Sequence, residues 1–155
     1  MKPRALILTS ALLVAGAAVS FAQSPLIGTW KLNEAKSHIP AGATKTNTVT
    51  YEPQGDSFKV TTDGIAADGA TPAHTEWTGK FDGKDYPMSG SPTEDTRTYT
   101  QVNDHTVSMN MKKAGKITTT GRIVVSPDGK TRTVTLHSTD PSGKKISSTA
   151  VYDKQ

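Results

Sequence analysis

From residue 46 to the C-terminus, bulky side chains recur at every second position in short runs, and a turn-forming group follows almost every run. A period of two is the mark of a strand with one packed and one wet face, so this pattern confines the chain to β-sheet. Residues 46–52 set Val49 and Tyr51 on one face, and residues 57–62 do the same with Phe58 and Val60. Residues 73–81 alternate Thr75, Trp77, Gly79 and Phe81 against His74, Glu76, Thr78 and Lys80. Residues 96–102 put Arg97, Tyr99 and Gln101 together, and residues 106–112 align Val107, Met109 and Met111. Residues 116–126 align Ile117, Thr119, Gly121, Ile123 and Val125, residues 131–139 offer Val134 and Leu136, and residues 146–153 close with Ile146, Ser148, Ala150 and Tyr152. The abundant threonine suits this arrangement, because a β-branched side chain fits a pleated surface.

The expected turns are Pro53-Gln54-Gly55-Asp56, Asp63-Gly64, Asp68-Gly69, Asp82-Gly83, Asn103-Asp104, Ala114-Gly115, Pro127-Asp128-Gly129 and Asp140-Pro141-Ser142-Gly143. Asp-Gly supplies the positive φ angles that a two-residue hairpin needs. Residues 33–37 are read as at most one helical turn, and residues 38–45 and 87–94 as loops. The consecutive tight hairpins beyond Asp95 favour up-and-down topology over a Greek key, which needs long crossings. The expected fold is all-β, an antiparallel up-and-down meander of about eight to ten strands closed into a barrel. Closure removes the two edges that an open meander would leave, and a flattened sandwich is the rival.

Residues 1–22 read as a cleaved signal peptide. Lys2 and Arg4 supply the positive start, residues 5–19 the apolar run, and Ser20-Phe21-Ala22 the small-x-small cleavage site. The expectation is a periplasmic or secreted protein with one domain over residues 23–155 and no membrane span after leader removal. The formal charge of +4 includes Lys2 and Arg4, and no block of like charge appears, so nucleic acid is not an expected partner. The chain has no cysteine, which excludes disulfide staples, a lipid-modified cysteine and thiolate metal sites.

The string Gly28-Thr29-Trp30-Lys31-Leu32-Asn33 resembles the first-strand motif of the calycin superfamily, which groups lipocalins and fatty-acid-binding proteins. Val151-Tyr152-Asp153-Lys154 is similar to the last strand of a fatty-acid-binding protein, and Ala35-Lys36-Ser37 adds a likeness to small exported bacterial lipocalin-like proteins of unassigned activity. The resemblance implies a calycin-like barrel around a small apolar or amphipathic ligand. The chain departs from it at several points. The interval 33–45 is too short for the two helices of a fatty-acid-binding protein, and Ala150-Val151-Tyr152 lacks the carboxylate-binding arginine of its Arg-x-Tyr. Arg97-Thr98-Tyr99 has that spacing but lies mid-chain. Lys84-Asp85-Tyr86 matches the lipocalin Thr-Asp-Tyr poorly, and no arginine follows Arg132 to supply the late arginine that packs on the first tryptophan.

The candidate barrel-interior residues are Trp30, Tyr51, Phe58, Trp77, Arg97, Tyr99, Met109 and Met111. Trp30 is read as the plug of the barrel base, with the floor of a ligand cavity as the alternative and a cation from Lys144, Arg122 or Arg97 over its ring. Full burial of that ring is worth about 4–6 kcal/mol at most, enough to explain its place without a ligand. Many inward positions are Thr, Ser, Gly or Ala, so the barrel is either flattened around a thin core or hollow. Arg97, inward beside Tyr99, needs a carboxylate such as Glu76 or Asp95, or an anionic ligand head group. His74 and Glu76 offer a weak metal-binding spacing, and no cofactor is expected. The functional expectation is an exported binding protein for a small hydrophobic or amphipathic molecule. The alternatives are a filled structural barrel of the cell envelope and a small isomerase- or decarboxylase-type enzyme built on Arg97, Tyr99 and Glu76. Oligomeric state is not encoded in any of these patterns.

Overall fold

The computed structural model describes residues 24–139 and 142–155. The expected leader lies outside them, as do Asp140 and Pro141 of the last expected turn. Ten antiparallel strands form one closed barrel: β1 (Gly28–Leu32), β2 (Lys45–Gln54), β3 (Ser57–Ile65), β4 (Pro72–Gly79), β5 (Asp82–Ser89), β6 (Thr96–Asn103), β7 (Thr106–Lys113), β8 (Lys116–Val125), β9 (Thr131–Thr139) and β10 (Lys145–Lys154). Each strand pairs with its neighbours in sequence, and β1 closes the ring by pairing with both β2 and β10. The expected all-β meander and its closure are both present. Closure rests on short stretches of ladder, in which Trp30 faces Val49 on one side and Lys154 on the other. Between β1 and β2, Glu34–Lys36 makes a single 3₁₀ turn capped by the Asn33 side chain, which accepts from the Lys36 amide at 3.2 Å.

Alternation carries the expected inner face. Val49, Tyr51, Phe58, Val60, Trp77, Tyr99, Val107, Met109, Ile123, Val125, Val134 and Tyr152 are all buried, with Met111, Leu136 and Ala150 packed against them.

Two local expectations are corrected. Residues 87–94 are not one loop, because β5 runs to Ser89. The β4–β5 register, with Trp77 opposite Met88, centres that hairpin on Asp82-Gly83 as expected: Gly83 is left-handed at φ 80°, and Asp82 Oδ1 accepts from the Lys84 amide at 3.1 Å, while Asp82 also opens the ladder to β6 at an irregular register between Asp82 and Asp85. Proline is tolerated at position 87 because β5 meets β4 only at Glu76↔Ser89 and Trp77↔Met88, so little ladder is lost there. Asp63-Gly64, in contrast, is no turn, and lies within β3. A Cβ on Gly64 would overlap the Lys45 carbonyl oxygen, where the β2–β3 register shifts between Thr46 and Thr48. That glycine serves a close backbone approach.

Ala114-Gly115 is the turn the sequence suggests, with both central residues left-handed at φ 50° and 76°. Alanine tolerates that conformation poorly, whereas asparagine bonds locally and accepts it. Ala114→Asn should therefore raise stability by about 0.5–1 kcal/mol. The check is a higher urea midpoint at unchanged slope; a midpoint that falls contradicts the left-handed turn.

Candidate ligand cavity

The barrel has a solid end and a hollow end. At the solid end Trp30 is fully buried, and its indole Nε1–H donates to the Leu26 carbonyl at 2.7 Å, which ties residues 24–27 under the base. Beside it, Phe58 stacks on Phe81 with centroids 4.6 Å apart, and Trp77 meets Tyr99 edge-to-face at 4.7 Å. The Trp77 Nε1–H donates to the Arg97 carbonyl at 3.1 Å. Gly79 makes room for this cluster, since a Cβ there would run into the Tyr86 ring.

Toward the other end, large side chains give way to Thr62, Thr75, Thr119, Ser138, Ser148 and Ala150, and a cavity of about 250 Å³ opens. It reaches the mouth between Ile39, Ala43 and Thr44 of the β1–β2 connection and Ser91 and Thr93 of the β5–β6 loop. A dry cavity of ~150 Å³ already admits a benzene-sized molecule, so this one exceeds the needs of water. Of the residues expected in the interior, Tyr51, Arg97, Tyr99, Met109 and Met111 line the cavity. Trp30, Phe58 and Trp77 are buried in the core beneath it and are not among its lining residues.

Arg97 points inward as expected, but its partner is neither Glu76 nor Asp95. Its Nε donates to Glu94 Oε2 at 3.0 Å, its Nη2 donates to Glu94 Oε1, and its Nη1 donates to the Tyr99 hydroxyl at 3.2 Å. Glu94 reaches Arg97 because the loop after β5 folds it over the mouth, where it is 5 % exposed. Asp95 instead accepts from the Ala114 amide at 2.9 Å. Glu76 lies on the outer wall, where its carboxylate meets Lys59 at 2.9 Å. The set of Arg97, Tyr99 and Glu76 is therefore divided by the barrel wall. His74 also faces outward, with Nδ1 2.7 Å from Asp63 Oδ1, and that contact raises its pKa. Among the described residues, no group of three or more His, Cys, Asp or Glu side chains is arranged to hold a metal ion.

Sequence reasoning missed Arg132, which is 2 % exposed. It enters from the start of β9, one residue past the β8–β9 turn, where alternation with Val134 turns it inward. Its guanidinium carbon lies 4.4 Å from the Tyr152 ring centroid, 5.2 Å from that of Tyr51 and 5.6 Å from that of Trp30. Arg132 and Lys154 are thus the cations over Trp30, in place of Lys144, Arg122 or Arg97. Arg132 Nη1 donates to the Tyr51 hydroxyl at 2.8 Å, while its Nε has no hydrogen-bond partner. Each cation–π contact returns about 0.5–2 kcal/mol, against a cost of several kcal/mol for burying an ion, so three rings offset only part of it. The available signal was the Arg-x-Val-x-Leu alternation of residues 132–136, which gives Arg132 the same phase as the core.

No family model matches this chain, and no curated protein sequence matches it.

Burial pushes the Tyr99 phenol up to about 12, with Arg97 pulling the other way. The native state therefore holds this proton above the ordinary value of 10.0, where the unfolded chain has released it. Stability contributed by neutral Tyr99 is intact below pH 10 and is lost as pH rises from about 10 to 12. Spectrophotometric tyrosinate titration should show a late phase whose amplitude Tyr99→Phe reduces, the remainder coming from Tyr152 and Tyr86, which burial also pushes up. A wild-type titration complete near pH 10 would contradict the burial.

Proposed function

We propose that this chain is an exported, lipocalin-like binding protein that holds one small apolar or amphipathic molecule in the open half of its barrel. The observation that carries this reading is the cavity of about 250 Å³ above a fully packed base. Its wall mixes methyl and methionine surface with threonine and serine hydroxyls, which is the lining of a pocket that orients an amphipathic guest. The calycin likeness rests on more than the Gly28-Thr29-Trp30 start. Arg132, from the next-to-last strand, supplies the late arginine over the first tryptophan that a lipocalin resemblance implies. Fold likeness alone does not name a ligand, so the argument for binding is the cavity. The leader-like sequence of residues 1–22 supports export.

The rival reading, a filled envelope barrel, predicts room for water at most and an apolar outer patch. The exposed large apolar residues among those described are Val102, Val124 and Ile117. Val124 and Ile117 stand at opposite ends of β8, so these residues do not form one patch.

Native mass spectrometry of the purified protein, with a fluorescent fatty-acid analogue titrated alongside, tests the proposal. A bound small molecule or saturable probe fluorescence is the expected result. Ser148→Phe fills the cavity from β10 and should weaken the probe at least about tenfold, or about 1.4 kcal/mol, with the far-UV spectrum unchanged. Absence of any bound species together with no probe response sinks the reading.

A further inference from the structure

Glu94 and Arg97 both line the cavity, and both are buried. Arg97 donates from Nε and Nη2 to the two oxygens of Glu94 and from Nη1 to the Tyr99 hydroxyl, so each of its three nitrogens is engaged. This is the two-pronged contact a guanidinium makes with a bound carboxylate, and here the chain itself supplies the acid. An ion pair sealed in a wall stabilises a fold no better than apolar side chains of the same volume, so the stability of the barrel does not call for it.

The backbone aims Glu94 and holds it in place. The next residue, Asp95, is pinned three times: its carbonyl accepts from the Met88 amide at 2.9 Å, its amide donates to the Lys112 carbonyl at 2.9 Å, and its carboxylate accepts from the Ala114 amide at 2.9 Å. A carboxylate tethered this close to its partner competes at an effective concentration that a free acid does not reach. Arg132, the other guanidinium of the wall, offers no alternative. Its guanidinium carbon lies within 4.4–5.6 Å of the Trp30, Tyr51 and Tyr152 rings, its Nη1 serves the Tyr51 hydroxyl, and its Nε is buried out of a guest's reach. The rest of the lining is uncharged, with hydroxyls from Thr119, Ser138 and Ser148 and apolar surface from Met111 and Leu136.

We infer that Glu94 is the specificity-determining residue of this cavity: it occupies Arg97 as an internal counter-ion, excludes organic acids, and leaves a pocket for an uncharged guest with an alcohol or amide end. This rests on the reading of the barrel as a small-molecule binding protein and narrows its ligand class. A carboxylate entering the cavity must shed its water, and it then meets a fixed carboxylate and no unengaged guanidinium nitrogen within reach. An alcohol or amide loses less on entry, and it exchanges hydrogen bonds with hydroxyls that both donate and accept. A fatty-acid probe enters on its apolar tail alone, and less tightly than the corresponding alcohol.

The test compares 1-octanol with octanoate by isothermal titration calorimetry at neutral pH, on the wild type and on Glu94→Ala, which deletes the internal acid and opens its place beside Arg97. The wild type should bind the alcohol at least about tenfold more tightly than the acid. Glu94→Ala should move the octanoate-to-octanol affinity ratio at least about tenfold toward the acid, and adding Arg97→Met to it should cancel that shift. Where Glu94→Ala does not fold, Glu94→Gln, which keeps the shape and removes the charge, should move the ratio the same way by severalfold. A ratio unchanged in a folded Glu94 variant overturns the assignment, because plain partitioning of the two probes then explains the wild-type preference. Octanoate bound by the wild type as tightly as octanol also overturns it and leaves the binding protein intact. Binding of neither probe by the wild type or any variant overturns both.

Discussion

The structure depends on how ten strands close around one fixed point, the contact of Arg132 with Trp30 and its neighbours. β1 has five residues, and its ladders to β2 and β10 are correspondingly short. Backbone bonds alone hold that seam weakly. Trp30 adds a fully buried ring, and Arg132 reaches from β9 to lie against rings carried by β1, β2 and β10. The same side chain therefore ties the first strand to the last two and to its own neighbour β2. Aromatic area provides most of the adhesion. The charge at its centre is costly, and that cost makes the base both a structural joint and a site with unmet bonding capacity.

From that joint the division of the interior follows. Large residues crowd the base, where Trp77, Phe58, Phe81 and Tyr99 meet and Trp30 is fully buried, and small or hydroxylated residues line the rest. A barrel of fixed girth with small inward side chains at one end is hollow there. The threonine-rich composition thus has two consequences. On the outer wall it favours strand with a wet face, and on the inner wall it leaves space. Glu94 compensates the guanidinium of Arg97 near the mouth, and this keeps the upper cavity neutral.

Much of this was legible in the residues. Alternation identified the inward face of eight strands, apart from Gln101 and Ile117, which are exposed beside register shifts, because a one-residue error would have exposed Tyr51, Trp77 and Tyr99 together. β5 was not legible, since Pro87, Asp82-Gly83 and Gly90 all signal turns and its ladder to β4 is nearly absent. Gly64 carried the same ambiguity, for a glycine needed to pass a neighbouring backbone looks like one needed for positive φ. Strand phase placed Arg97 inward but could not name its partner. Glu94 belongs to a loop, and loop residues have no period to fix where they point. Arg132 was overlooked for a related reason. The fatty-acid-binding motif places its arginine on the last strand, whereas the barrel brings β9 and β1 side chains together across its base, a contact that no spacing along the chain encodes.

The central claim is that one end of this barrel is solid and the other hollow, with the Arg132–Trp30 joint as the boundary. Site-resolved native-state hydrogen exchange examines it directly. The indole protons of Trp30 and Trp77, bonded to the carbonyls of Leu26 and Arg97, should exchange only through global unfolding, as should the β1–β10 amides beside them. The amides around the mouth and along the sparse β4–β5 seam should open at far lower free energy. Indole protons that exchange as readily as the mouth would contradict the account, because the base would then be as open as the cavity it is held to close.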